Sequence, residues 1–156
     1  MVDSMSQWVK EIALAEQYCQ EKGEHLTKKR KVVLQALLQS QKAISAYELV
    51  DFCKIQLNET ITAMSVYRIL AFLQEQGLAH KLSLSNKYVA CSHGVCEHKD
   101  EFLQFLVCDQ CQHVEEVSID SSTLKNLQTV INNKGFRLTT PQLEINGICE
   151  KCFCAQ

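Results

Sequence analysis

The sequence predicts an α+β protein, an N-terminal winged helix-turn-helix followed by a small α/β domain. Three observations carry this reading. The first half shows short apolar stripes at helical spacing, two of them opened by a capping residue, and it ends in a hairpin signal. Beyond Cys91 the pattern changes to strand-like runs around a single helix. Two Cys-x-x-Cys pairs fall in that second half.

The elements follow in order. From Met5 to Glu21 the residues Trp8, Ile12, Ala15 and Cys19 recur every three or four positions, and Gly23 follows, so this is an amphipathic helix. Thr27 caps a second helix with the stripe Val33, Leu34, Leu37 and Leu38, leaving Lys29 and Arg30 at its exposed start. Ser45 and Glu48 make a capping box for a third along Leu49, Val50 and Cys53. A fourth runs from about Thr62 to Gly77. At about 100° per residue, Val66, Ile69, Leu70 and Leu73 share its inner face while Met64, Arg68 and Ala71 point away. Leu78 to Leu84 and Lys87 to Ala90 read as two strands joined through Ser85 and Asn86. After Cys91, Phe102 to Cys108 and His113 to Ile119 read as strands, Ser121 to Asn133 as a helix, and Phe136 to Ile148 as one long strand. The expected organisation is a first domain over 1–84, a hinge over 85–91 and a second domain over 92–156, with the hairpin itself reaching Ala90.

Composition narrows the function. The chain has 156 residues, 46% of them apolar and 22% charged, which is ordinary globular composition and argues against disorder. Asp3, Lys10, Glu11 and Glu16 interrupt the region where a signal peptide needs an apolar run, and no stretch is long enough to span a membrane. A cytoplasmic location is expected. In that reducing pool nine cysteines point to metal ligands or reactive thiols rather than to a disulfide framework. The net charge of −2 divides at Leu84 into +1 before and −3 after, and the one dense basic run, Lys28, Lys29, Arg30 and Lys31, lies in the first half. Such a run is ordinarily a solvated helix face; a phosphate-binding role needs support from the fold around it.

Cys108 and Cys111, with Cys149 and Cys152, form two knuckles separated by 37 residues. Each knuckle converges two thiolates on one ion, and two of them complete the tetrahedral sulfur cage of a structural zinc site. The long gap is what a strand, a helix and a return strand between knuckles require. A redox Cys-x-x-Cys ordinarily stands alone near a βαβ unit, so a thiol oxidoreductase built on Cys108 and Cys111 is the weaker alternative. A second constellation, His80, Cys91, His93, Cys96, His98 and Glu116, offers the mixed nitrogen, sulfur and oxygen donors that suit zinc. A site with ligands from hairpin, connector and second domain would couple metal occupancy to the angle between domains, because it exists only when those parts are docked, and that is a sensor's geometry. The third is the outer face of the fourth helix. In a helix-turn-helix that helix enters the major groove, so Arg68 is placed to fork onto guanine O6 and N7 and Tyr67 to touch a phosphate or a thymine methyl. Lys28, Lys29 and Arg30 would add sequence-independent phosphate contacts. Cys19 and Cys53 lie on apolar faces and read as buried hydrophobes, and Cys154 as a spare thiol.

In Ala43-Ile44-Ser45-Ala46-Tyr47-Glu48-Leu49, Ser65-Val66-Tyr67-Arg68-Ile69-Leu70, Cys108-Asp109-Gln110-Cys111 and Gly147-Ile148-Cys149-Glu150-Lys151-Cys152, the chain resembles the ferric uptake regulator family, and within it the zinc-sensing branch. The resemblance covers nearly the whole chain. It implies a homodimeric bacterial repressor of zinc uptake genes, with zinc as corepressor, double-stranded operator DNA as partner, the second domain as the dimerisation domain, and neither catalysis, a small-molecule substrate nor a membrane. It implies two zinc ions per subunit, a structural one on Cys108, Cys111, Cys149 and Cys152 and a regulatory one on His80, Cys91, His98 and Glu116, with His93 and Cys96 as alternatives for the third ligand. It adds Tyr47 and Ser65 to the DNA contacts. A cysteine among the regulatory ligands favours zinc; the alternative is a sensor of iron, manganese or peroxide on the same scaffold, and the histidine-rich cluster of iron sensors is missing. Two departures from the family pattern are Lys28, where a proline is usual, and Gln112, where glycine commonly follows the knuckle.

Overall fold

The computed structural model describes residues 3–92, 102–140 and 142–155, with side chains from residue 7 onward in the first helix. The chain divides into two compact units, Met1–Glu97 and His98–Gln156.

The first unit is built from α1 (Asp3–Glu21), α2 (Lys28–Ser40), α3 (Ala46–Gln56), α4 (Ala63–Glu75) and the strands β1 (Ala79–Leu82) and β2 (Lys87–Ala90). Its helices start where side chains take up orphan amides. The capping box of α3 is complete: the Glu48 amide donates to Ser45 Oγ at 3.2 Å and the Ser45 amide donates to Glu48 Oε2 at 2.7 Å. The Ser45 amide, and then the Ser45 hydroxyl, hold the Glu48 carboxyl below its ordinary range. Thr62 caps α4 by accepting from the Ser65 amide at 3.3 Å. At the other end Gly77 takes φ +71°, which glycine adopts without a Cβ penalty, and lets the Leu78 amide reach back to the Leu73 carbonyl at 2.8 Å. The apolar stripes meet in one core in which Val33, Leu37, Leu49, Val66, Leu70 and Leu73 are buried. Each such side chain contributes roughly 1.5–3 kcal/mol by leaving water. Cys19 and Cys53 lie fully inside it as small hydrophobes, and burial pushes the Cys53 thiol up to about 11.

β1 and β2 form an antiparallel hairpin, from Ala79 opposite Ala90 to Leu82 opposite Lys87. Ile44, between α2 and α3, bonds to Tyr88 in both directions, at 3.0 and 2.8 Å, which fastens the wing to the helices. With the hairpin behind a capped helix pair this is a winged helix-turn-helix.

The second unit holds β3 (Leu103–Cys108), β4 (Val114–Ser118), α5 (Ser121–Asn133), β5 (Gln142–Gly147) and the short α6 (Glu150–Phe153). The sheet order is β4-β3-β5, antiparallel between β3 and β4 and parallel between β3 and β5. Asp120 caps α5 by accepting from the Ser122 and Thr123 side chains and amides, and these donors hold its carboxyl well below the usual carboxylate range. One expectation is corrected here: the final strand covers Gln142–Gly147, not Phe136 to Ile148. Phe136 and Leu138 are exposed, β3 offers its ladder only from Leu103 opposite Gln142, and proline at 141 lacks the amide hydrogen a ladder needs. Among the described residues no helix is long and apolar enough to cross a membrane.

Candidate metal centre and nucleic-acid interface

Cys108 closes β3, Cys111 lies in the turn after it, Cys149 is the N-cap residue of α6 and Cys152 sits within that helix. The parallel register brings Cys108 opposite Gly147, so the return strand delivers the second knuckle to the first. All four sulfurs lie within 4.8 Å of one another, and Cys111 Sγ is 3.6 Å from Cys149 Sγ. With zinc–sulfur bonds of about 2.3 Å, a tetrahedral site has sulfur–sulfur edges of about 3.8 Å, so the donor set fits zinc. The charge balance points the same way. Amide hydrogens of Cys111 and then Cys149 aimed at Cys108 lower its thiol to about 6, while hydrogen bonding with Cys111 and then Cys149 pushes Cys152 up to about 12. Four crowded sulfurs cannot all ionise without a cation between them. Cys154 is exposed just beyond the cage.

In the first unit His80 lies on β1 opposite Val89, and Cys91 follows β2 with its amide bonded to the Leu78 carbonyl at 3.0 Å. Leu78 and His80 share one face of the hairpin, so Cys91 is the diagonal neighbour of His80, and the two donor atoms lie within 4.8 Å. Cys91 is half of a disulfide here, a form in which its sulfur is no thiolate ligand. In the second unit Glu116 lies on β4, in the cross-strand row Glu116, Phe105, Glu144. His93, Cys96 and His98 lie outside the described residues.

The residues expected on DNA fall into two groups. Tyr47 on α3 and Tyr67 on α4 meet edge to face, with ring centroids 6.3 Å apart, and both are exposed, as is Arg68 one position on. Ser65 is half-buried and bonded to the cap, its Oγ accepting from the Thr62 hydroxyl at 3.0 Å. The basic run is largely engaged within the fold. Lys28 pairs with Glu59 at 2.7 Å and Lys31 with Glu16 at 2.5 Å. Arg30 lays its guanidinium 3.4 Å from the centroid of the Phe72 ring and donates from Nη1 to the His25 carbonyl at 2.6 Å. That stack ties α2 to α4, a role that local spacing does not disclose because its partner lies 42 positions away. Lys29 stays exposed at the start of α2. Surface ion pairs are worth about 0–1 kcal/mol, so Lys28 and Lys31 yield to a phosphate at little cost.

Residues 21–146 match the model of the ferric uptake regulator family. The zinc uptake regulation protein of Escherichia coli (strain K12) is 31% identical over 141 residues, 90% of this chain and 80% of that protein. A solved zinc uptake regulator complexed with zinc and DNA has a TM-score of 0.77 to this structure at 28% identity, covering 99% of this chain and 98% of that one. The crystal structure of holo XcZur has a TM-score of 0.73 at 33% identity, covering 92% and 96%.

Proposed function

The chain belongs to the ferric uptake regulator family, and on that premise we propose that it is a zinc-responsive transcriptional repressor of zinc uptake genes rather than an enzyme. The observation that carries this is the content of the first unit. One compact body holds His80 and Cys91, a nitrogen and sulfur donor pair once Cys91 is reduced, and an exposed helix face bearing Tyr67 and Arg68. A metal held by that pair would sit in the same compact unit as the DNA-reading face. Relatives of this chain include a zinc uptake regulator seen with zinc and DNA.

Two zinc sites per subunit are assigned. Cys108, Cys111, Cys149 and Cys152 hold the structural ion, which when bound cross-links the end of β3 to α6. His80 and Cys91, in the reduced chain, with His98 and Glu116, hold the regulatory ion. The ligand set shifts the chain toward its DNA-competent state only by the difference in its affinity for the two states. On DNA, Arg68 forks onto a guanine edge, Tyr67 and Tyr47 flank the backbone, and Lys29, with Lys28 released from Glu59, supplies phosphate contacts. Arg30 acts through its stack on Phe72.

The working form is a homodimer in the cytoplasm. Leu106, Val117 and Ile145 lie exposed on one face of the three-stranded sheet, and Ile148 borders an open cavity of ≈ 400 Å³ on that unit. Monomeric surfaces rarely keep such a patch, and a second copy covers it.

The test is metal restoration. Protein stripped by chelator and reduced is titrated with zinc, iron(II) or manganese(II) while operator binding is followed. Restoration by submicromolar free zinc supports the reading; restoration by iron or manganese where zinc fails assigns the scaffold to another signal.

A further inference from the structure

Met64 stands on the exposed face of α4, and the proposed function leaves it unused. It is the second residue of the helix and 66% exposed. The apolar side of α4 is already satisfied by Val66, Ile69, Leu70 and Leu73, which are buried in the core. In projection Met64 falls between Tyr67 and Arg68, about 60° from the first and about 40° from the second. Helical side chains lean toward the N-terminus of their helix, so Met64 extends past the start of α4. In a docked helix-turn-helix that end of the second helix meets the base edges.

We infer that Met64 is a specificity-determining residue that packs on the C5 methyl group of a thymine in each operator half-site. This rests on the DNA-binding reading above and deepens it. Thymine is the base whose major-groove edge carries an apolar group, and a side chain with no donor or acceptor to match can select for it. Methionine is suited to that contact, because three rotatable bonds and a polarisable sulfur let it follow an irregular apolar surface. The neighbouring Arg68 reads hydrogen-bond acceptors, so the two side chains read different bases by different chemistry. Removing one methyl contact is worth about fourfold in Kd, and about fifteenfold when both half-sites of a dimer lose it.

The experiment uses the reduced, zinc-loaded full chain. An operator is first selected from random duplexes with the wild type, and each thymine in turn, symmetrically in both half-sites, is replaced by deoxyuridine. The expected result is one thymine position at which loss of the methyl weakens the wild type by about fifteenfold. Met64→Ala binds the original operator more weakly but is indifferent to that replacement, and Met64→Leu keeps the penalty. Zinc content and circular dichroism establish that both variants are folded. Wild-type indifference to every replacement overturns the inference while leaving DNA binding intact, as does a Met64→Ala protein that keeps the full penalty. If selection enriches no sequence at all, the DNA-binding reading fails and the inference with it.

Discussion

Replacing Arg30 with alanine separates a structural role from a phosphate contact. In the folded chain the guanidinium lies 3.4 Å from the Phe72 ring centroid and bonds to the His25 carbonyl at 2.6 Å. A cation over an aromatic face contributes about 0.5–2 kcal/mol and a charged hydrogen bond about 1.5–3 kcal/mol. Arg30 is only half-buried, so the lower ends apply and the pair together contributes about 2 kcal/mol. With a urea dependence of about 1–3 kcal/mol per molar, Arg30→Ala lowers the unfolding midpoint by about 1 M. Trp8, the single tryptophan, sits on α1, so its fluorescence reports this unit. Arg30→Lys keeps the charge but loses the planar stack, and recovers less than half of the loss. An unchanged midpoint in Arg30→Ala, together with a shallower dependence of operator affinity on salt, refutes the reasoning and makes Arg30 a phosphate ligand.

Other predictions follow from the same geometry. Cys108→Ser removes one of four cage donors, and because structural zinc contributes about 10–16 kcal/mol against a total stability of about 5–15 kcal/mol, the second unit loses its fold and its zinc by circular dichroism and metal analysis. Cys91→Ser leaves a folded, cage-bearing protein whose operator binding no longer responds to zinc; equal damage from both changes merges the two sites into one. Glu48 has a folded-state carboxyl held below its ordinary value of 4.5, first by the Ser45 amide and then by the Ser45 hydroxyl. Its contribution is therefore fully present above the unfolded value and lost as pH falls through the lowered folded value. Glu48→Gln flattens that part of the acid unfolding profile, and a profile unchanged below pH 4.5 contradicts the capping box. Arg68→Ala costs about 1–3 kcal/mol and relaxes preference at one base pair, whereas Lys29→Ala weakens all sequences alike and reduces the salt slope by about 1 per contact, both read by mobility shift at several salt concentrations.

Much of this was legible in the residues themselves. The face of α4 follows from a spacing of three and four, and the start of α3 from Ser45 with Glu48, because both signals act within one or two helical turns. The bounds of β2 and α5 agree with the sequence pattern for the same reason. The convergence of the four cysteines was legible because ligand chemistry restricts what two knuckles can do, and the sheet register explains the gap between them. What escaped depends on distant partners. The stack of Arg30 on Phe72, and the pairs Lys28 with Glu59 and Lys31 with Glu16, come from α2 packing beside other elements, so a run that reads as one charged face divides into engaged and open residues. The final strand is shorter than its residue pattern predicts, because Phe136 and Leu138 have strand-like side chains while pairing with β3 fixes where the ladder starts.

The measurement that bears most directly on the central claim is the operator affinity of one preparation in two states, with zinc counted in each. Mass spectrometry defines a reduced form with two zinc ions per chain and, after mild chelation, a form that keeps only the cage ion. The one-zinc form is expected to stay folded and to bind the selected operator more weakly by about tenfold or more, with full recovery on adding zinc. Equal affinity of the two forms contradicts that claim.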